Sequence, residues 1–308
     1  MRQSASAYHW DWNNKMEPVA ALAAMNEVLK NFYSGTLPLN DVLTQVFELG
    51  KVGGIDSDVA LTCLNLLKSQ KLTLVGFNPF LPQVLSWARA ALANAAAMQQ
   101  ATAGPEWRWE WDYEPLRNSA AIYLDLLGYL PRRSAVQELG KALTLLDPQL
   151  KAWTILSLLR QHHEVDTKEI AFVAADNEAR IRLWRGLREL KLEILMPRHW
   201  CKPEQLAASS LAEWANHPQE FGAAPEEIEL VRRFPVEFDG NMLDVYLFRF
   251  RMFPQPWKSG GGWMAGIAGP FLNGEELGTP WSHRCTWSSA TPEEHFEMFN
   301  GWKKGCKQ

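Results

Sequence analysis

A 29-residue period is the feature that most restricts how this chain can fold. Asn118, Asp147 and Asp176 stand 29 residues apart, and each precedes a run with the same apolar spacing. At offsets of three, eight and eleven the first run carries Ala121, Leu126 and Tyr129. The second carries Leu150, Ile155 and Leu158, and the third Ala179, Trp184 and Leu187. Those offsets fall on one face of an α-helix. An Asn or Asp in front supplies a side-chain oxygen for the unpaired N–H groups of the first turn. Shorter apolar stretches lie between the runs, at 135–146 and 168–173. The expected unit is a helical hairpin, repeated three times over about residues 118–190. Such a hairpin cannot bury its apolar face alone, so neighbours must stack.

The chain ahead of the repeat also reads as helices, but out of that register. Apolar residues recur at helical spacing over 17–33, where Gly35 stops the run. Asn40 or Asp41 opens a short helix that Gly50 closes, and Asp56, Ser57 and Asp58 open another that ends near Lys71. A long Ala-rich helix is expected over 81–103, with Pro82 tolerated in its first turn and Gly104-Pro105 ending it. Then comes Trp107-Arg108-Trp109-Glu110-Trp111-Asp112-Tyr113, where aromatic and charged residues alternate with the period of a strand. The expectation is a short extended strap across the helices, one side buried and the other solvated.

At the level of Asp147-Pro148-Gln149-Leu150-Lys151-Ala152-Trp153 and Asp176-Asn177-Glu178-Ala179-Arg180-Ile181-Arg182-Leu183-Trp184, the sequence resembles the HEAT-like family of α-solenoids, especially its short-repeat members. The resemblance covers roughly residues 118–190. It implies a mainly α fold, a solenoid of helical hairpins that presents a concave surface to a partner.

The pattern changes after about residue 220. Residues 224–231 carry acidic groups where a helix first turn would favour them, so a short helix is expected there. Asp239-Gly240 sits between two apolar runs and signals a tight hairpin, the second arm being 242–253. Trp263 to Phe271 reads as a third strand and Cys285 to Ser288 as a fourth. Thr291-Pro292-Glu293-Glu294 caps a final helix. The expected organisation is a helical domain over 1–220 and a small α+β domain over 221–308, a short antiparallel sheet with a helix.

Charge and motif content narrow the function. With 31 basic and 35 acidic residues the chain lacks the basic excess that neutralises phosphates, so nucleic acid is not an expected partner. A basic protein is the more plausible one, because opposite potentials speed encounter. No apolar run approaches the roughly 18 residues of a membrane span, and the start has no apolar core of a signal peptide. No membrane association and a cytoplasmic location are the expectations. The loop Ser259-Gly260-Gly261-Gly262 precedes a strand rather than a helix, so it is not a phosphate cradle. His162-His163-Glu164 and the His199, Cys201 pair lack the spacing of a metal site. His283 and Cys285, with Glu293, Glu294 and His295 downstream, form the one cluster with the residue types of a nucleophilic site, and Cys285 lacks a nucleophile elbow. Neither catalysis, a cofactor nor a metal is expected.

What remains is binding. Fifteen tryptophans exceed ordinary use, and they serve either as packing between helices or as interface anchors. The expected partner-binding residues are Trp107, Arg108, Trp109, Glu110, Trp111 and Tyr113 of the strap, with Arg182 and Arg185 from the basic series Arg180, Arg182, Arg185, Arg188. A lone acidic helical-repeat chain with a small β domain looks like a bacterial immunity protein, an antitoxin that occludes a secreted toxin's effector domain. That resemblance is at fold level. A scaffold or regulator of a larger assembly is the alternative, and a HEAT-like enzyme acting on nucleic acid is the third. The sequence leaves the oligomeric state open.

Overall fold

In the computed structural model the described residues are 17–101, 104–217, 219–238, 240–252, 262–278, 280–287 and 290–305. The aromatic start at residues 8–12, Asp239, the glycine-rich residues 259–261, Ser288 and Cys306 lie outside them, as do the side chains of His283 and Cys285. The protein is mainly α-helical with a small antiparallel sheet near its C-terminus.

Helices α1 (Pro18–Tyr33), α2 (Leu39–Gly53), α3 (Asp56–Lys68) and α5 (Leu81–Ala101) lie where the sequence periodicity places helices, and the short α4 (Leu74–Phe77) is an addition to them. Val42, Val46, Phe47, Val59, Leu66 and Val84 meet in one core, where the Phe47 ring stacks on Phe80 at 4.4 Å and on Trp87 at 5.5 Å. Gly50 does not end α2. It lies inside the helix, where a Cβ would come within 2.9 Å of the Trp87 ring, so the glycine serves close packing. Gly54, at φ +63°, is the left-handed cap.

Next come α6 (Tyr113–Gly128), α7 (Arg133–Ala142), α8 (Pro148–Arg160), α9 (Thr167–Ala175), α10 (Arg180–Glu189) and α11 (Pro203–Ala215). Helix α8 packs on both α6 and α10, while α7 touches α6 and α8, and α9 touches α8 and α10. Of the three repeat starts Asp147 is a helix N-cap, that of α8, while Asp176 bonds the turn that leads into α10. Asp147 accepts from the Gln149 N–H at 2.7 Å, and Asp176 accepts from Glu178 and Ala179 N–H at 3.0 and 2.9 Å. Asn118 does neither: α6 begins at Tyr113, so Asn118 is an exposed mid-helix residue. Helix α10 rides close on α8, because a Cβ on Gly186 would stand 2.3 Å from the Leu156 side chain. Gly186→Ala therefore overpacks this contact and is expected to cost about 1–3 kcal/mol in urea unfolding. An unchanged midpoint would show that Leu156 yields freely.

The sheet is built from β1 (Glu227–Phe238), β2 (Asn241–Arg251), β3 (Trp263–Ala268) and β6 (Trp281–Thr286) in that antiparallel order, with β4 (Phe271–Leu272) and β5 (Glu275–Glu276) forming a separate small hairpin. Residues 227–231 are strand, not helix. Their acidic side chains face cross-strand arginines instead of a helix dipole: Glu227 meets Arg251 and Glu229 meets Arg249, both at 2.5 Å. Strand β2 alternates with period two, yet both sets of side chains are buried. Tyr246, Phe248 and Phe250 pack with Leu206 and Leu211 of α11, whereas Val245 and Leu247 pack with Phe296 and Phe299 of α12 (Pro292–Gly305). The sheet is thus covered by a helix on each side. Thr291 and Glu294 close α12 with the reciprocal bonds of a capping box, at 2.7 and 3.3 Å. The core around α11 crosses the division expected near residue 220.

Candidate protein-binding surfaces

The strap is not extended. Gly104-Pro105 starts a 3₁₀ turn over Pro105–Trp109, and Pro at its first position presets the backbone for it. The aromatic rings consequently leave the chain in different directions rather than alternating across a strand. Trp107 is buried in the core of the N-terminal helices, 4.9 Å from the Tyr113 ring. Trp109 packs into the core beneath the sheet, where its indole N–H donates to the Ala224 carbonyl at 3.0 Å. Trp111 is left 69% exposed. The strap is a wedge that joins two cores.

Its arginine is pinned from below. The Arg108 guanidinium donates to Asp176 at 2.8 Å and to Glu178 at 3.1 Å. Glu178 also accepts from Arg117 at 2.7 Å and from the Asn216 amide at 3.1 Å, and the Gln149 amide donates to its backbone carbonyl at 2.8 Å. Alongside, Tyr113 donates its hydroxyl to Asp147 at 2.6 Å and accepts from Gln99 at 2.8 Å. One buried network therefore ties α5, the strap, α6, α8 and α10 together. Burial by itself would raise the Glu178 carboxyl, but Arg117 and Arg108, charged and hydrogen-bonded to it, hold it below the ordinary range. Asp147 goes the other way: burial raises it, and the Glu178 charge adds to that.

The arginines of α10 are also taken up internally, so the expected basic stripe does not form. Arg180 is 1% exposed and donates to the carbonyls of Ala174 and Ala175 at 2.6 and 3.0 Å, the open end of α9. Burial lowers its pKa to about 10. Arg182 donates to Gln149 at 3.0 Å and lies 4.6 Å from the Trp153 ring, while Arg185 pairs with Glu213 at 2.6 Å. Of the eight residues expected to bind a partner, Trp107 and Tyr113 are core, Arg108, Trp109 and Arg182 are half-buried, and Glu110, Trp111 and Arg185 are exposed.

Two concavities flank these elements. A groove of about 480 Å³ runs between the strap, the start of α8 and the end of α9, with Trp107, Arg108, Pro148, Ala175 and Asp176 among its walls. Leu146 and Phe172, 55% and 49% exposed, rim it. Lys151 packs over the Phe172 ring at 5.0 Å while pairing with Glu169 at 2.6 Å. A cleft of about 1010 Å³ lies between α10, α11 and the β4–β5 hairpin. The hairpin is held there by the Trp184 N–H on the Gly274 carbonyl at 3.0 Å, by Arg188 on Glu275 at 3.1 Å, and by Ser210 on Glu276.

Sequence reasoning missed Leu146, Phe172 and the hub Glu178. A usable signal existed for the last. Gln149 and Glu178 occupy the same position of the 29-residue repeat, two after Asp147 and Asp176, and a polar residue recurring there marks a bond between repeats. Among the described residues no group of three His, Cys, Asp or Glu is placed to hold a metal ion, and no helix is long and apolar enough to cross a membrane. No family model matches the chain, and no curated protein or solved structure matches it.

Proposed function

We propose that this chain is a non-catalytic protein-binding module and that the groove beside the strap is its docking surface. The observation that carries this reading is the pair of large apolar side chains, Leu146 and Phe172, left exposed on the rim of a groove whose walls are fixed by the Arg108–Asp176 pair. Exposed apolar groups around a rigid concavity are what protein interfaces use as anchors. Trp111 adds an exposed aromatic ring on the strap itself. The arginines of α10, engaged with carbonyls, rings and carboxylates, would have to leave those partners to meet phosphates, which favours protein over nucleic acid. The stacking of α6, α8 and α10 with α7 and α9 between them supports a HEAT-like arrangement for this part of the chain.

The finer reading is an immunity protein, binding and occluding a toxin's effector domain in the cytoplasm. It rests on the resemblance of a helical-repeat chain with a small β part. Co-expression with the product of the neighbouring gene tests both levels. Growth protection and a co-purifying complex are expected. Phe172→Asp should weaken that complex about thirtyfold or more, the effect of removing an anchor worth about 2 kcal/mol. A complex without protection selects a scaffold role; a complex indifferent to Phe172→Asp places the docking surface elsewhere.

A further inference from the structure

The larger cleft is separate from the groove and has a different chemical character. Its walls carry the carboxylates Glu189, Glu213, Glu220, Glu275 and Glu276 against the guanidinium groups of Arg185 and Arg188. Both arginines are already matched, Arg185 to Glu213 and Arg188 to Glu275. Glu189 and Glu220 have no ion-pair partner among the described residues. Glu276 is tied by Ser210 and by the Gly269 N–H at 2.9 Å, and burial raises its carboxyl, which those bonds and the Arg185 charge offset only in part. Apolar surface accompanies the charge: Ile181, Trp214 and Pro280 also line the cleft. A volume near 1010 Å³ is far more than a bare ion needs and is in the range of a site for several side chains.

We propose that this cleft receives an arginine-bearing loop of a partner protein. The inference rests on the protein-binding reading and adds the partner's chemistry to it. A guanidinium fits better than an ammonium for two reasons. Its planar fork pairs with carboxylates through two parallel bonds, and its face stacks on an indole such as that of Trp214. The internal pairs Arg185–Glu213 and Arg188–Glu275 keep the cleft's own cations from competing for Glu189 and Glu220. The excess of acidic residues in the whole chain, 35 against 31 basic, acts in the same direction on encounter.

The probe is a short fluorescently labelled arginine–glycine peptide, followed by anisotropy at low and at physiological salt, with a glutamate–glycine peptide as control. The wild-type protein should bind the arginine peptide, more weakly as salt rises, and should not bind the control. E189Q combined with E220Q, both conservative changes, should weaken binding roughly tenfold with the circular dichroism spectrum unchanged. A lysine–glycine peptide should bind more weakly than the arginine peptide. Phe172→Asp should bind the arginine peptide as the wild type does, since the groove is a separate surface. Equal binding by wild type and the double variant, or no preference for arginine over glutamate, overturns the cleft proposal. Either result leaves the groove reading to stand or fall on the partner complex.

Discussion

Glu178→Ala should lower stability by about 3–5 kcal/mol, the largest effect expected of any single charge in this protein. Its carboxylate is the counter-charge for Arg117 at 2.7 Å and Arg108 at 3.1 Å, and the Glu178 and Arg117 side chains are both buried. Truncation leaves Arg117 buried without a full partner and removes one of the two carboxylates that hold Arg108. Replacing a pair by apolar residues of the same shape costs little, whereas removing one member does not. A variant carrying Glu178→Leu with Arg117→Met should therefore recover part of the loss. Urea unfolding measures both. The pH dependence has a definite sign. A carboxyl held below its unfolded value stabilises the fold above the ordinary carboxylate range, and that contribution disappears as pH falls through the folded value. Between pH 7 and pH 3 the wild type should lose more stability than Glu178→Gln does. Asp147, raised by burial, opposes this trend, because its contribution is present at low pH and lost as pH rises through its folded value. Equal slopes for wild type and Glu178→Gln would remove Glu178 from the hub.

Phe250→Ala should cost about 3–5 kcal/mol and should unfold helices and sheet together. Phe250 is fully buried in strand β2, yet it belongs to the same core as Leu206 and Leu211 of α11 and Ile181 of α10. The Phe221 ring meets it edge-on at 5.8 Å, and Gly266 brings β3 so close that a Cβ there would lie 3.0 Å from both Leu211 and Phe250. A cavity at this point is bordered by helix on one side and strand on the other. Helix content by far-UV circular dichroism and tertiary packing by tryptophan fluorescence should shift their midpoints equally. Separate transitions, with the fluorescence change alone moved, would show that the helical part and the sheet unfold independently.

Much of the helical frame was legible in the sequence because its signals are local. The periodicity over 17–33 and 81–103 corresponds to α1 and α5 within two residues at each end. Asp147 and the Thr291–Glu294 pair cap through bonds spanning only two or three residues, so residue type and spacing suffice. The hairpin between β1 and β2 is local in the same sense. The errors arose where a distant partner decided the outcome. Glu227 and Glu229 have the look of a helix first turn until Arg251 and Arg249 are brought across from the neighbouring strand. The strap's alternation has the look of a strand until two separate cores each claim one tryptophan.

The candidate surfaces divide in the same way. By itself the sequence placed the arginine series on the last repeat helix and the aromatic and charged run 107–113 ahead of the repeat, and it determined that the chain would carry an acidic excess. Which of those residues face a partner was decided by tertiary structure. Arg180 is consumed by the carbonyls at the end of α9, and Trp107 by the helical core, whereas Leu146 and Phe172 stay exposed. Local hydrogen bonding and periodicity act over a few residues and are written in order along the chain. Burial depends on which surfaces meet at a sequence separation of tens of residues, and only the folded packing settles that.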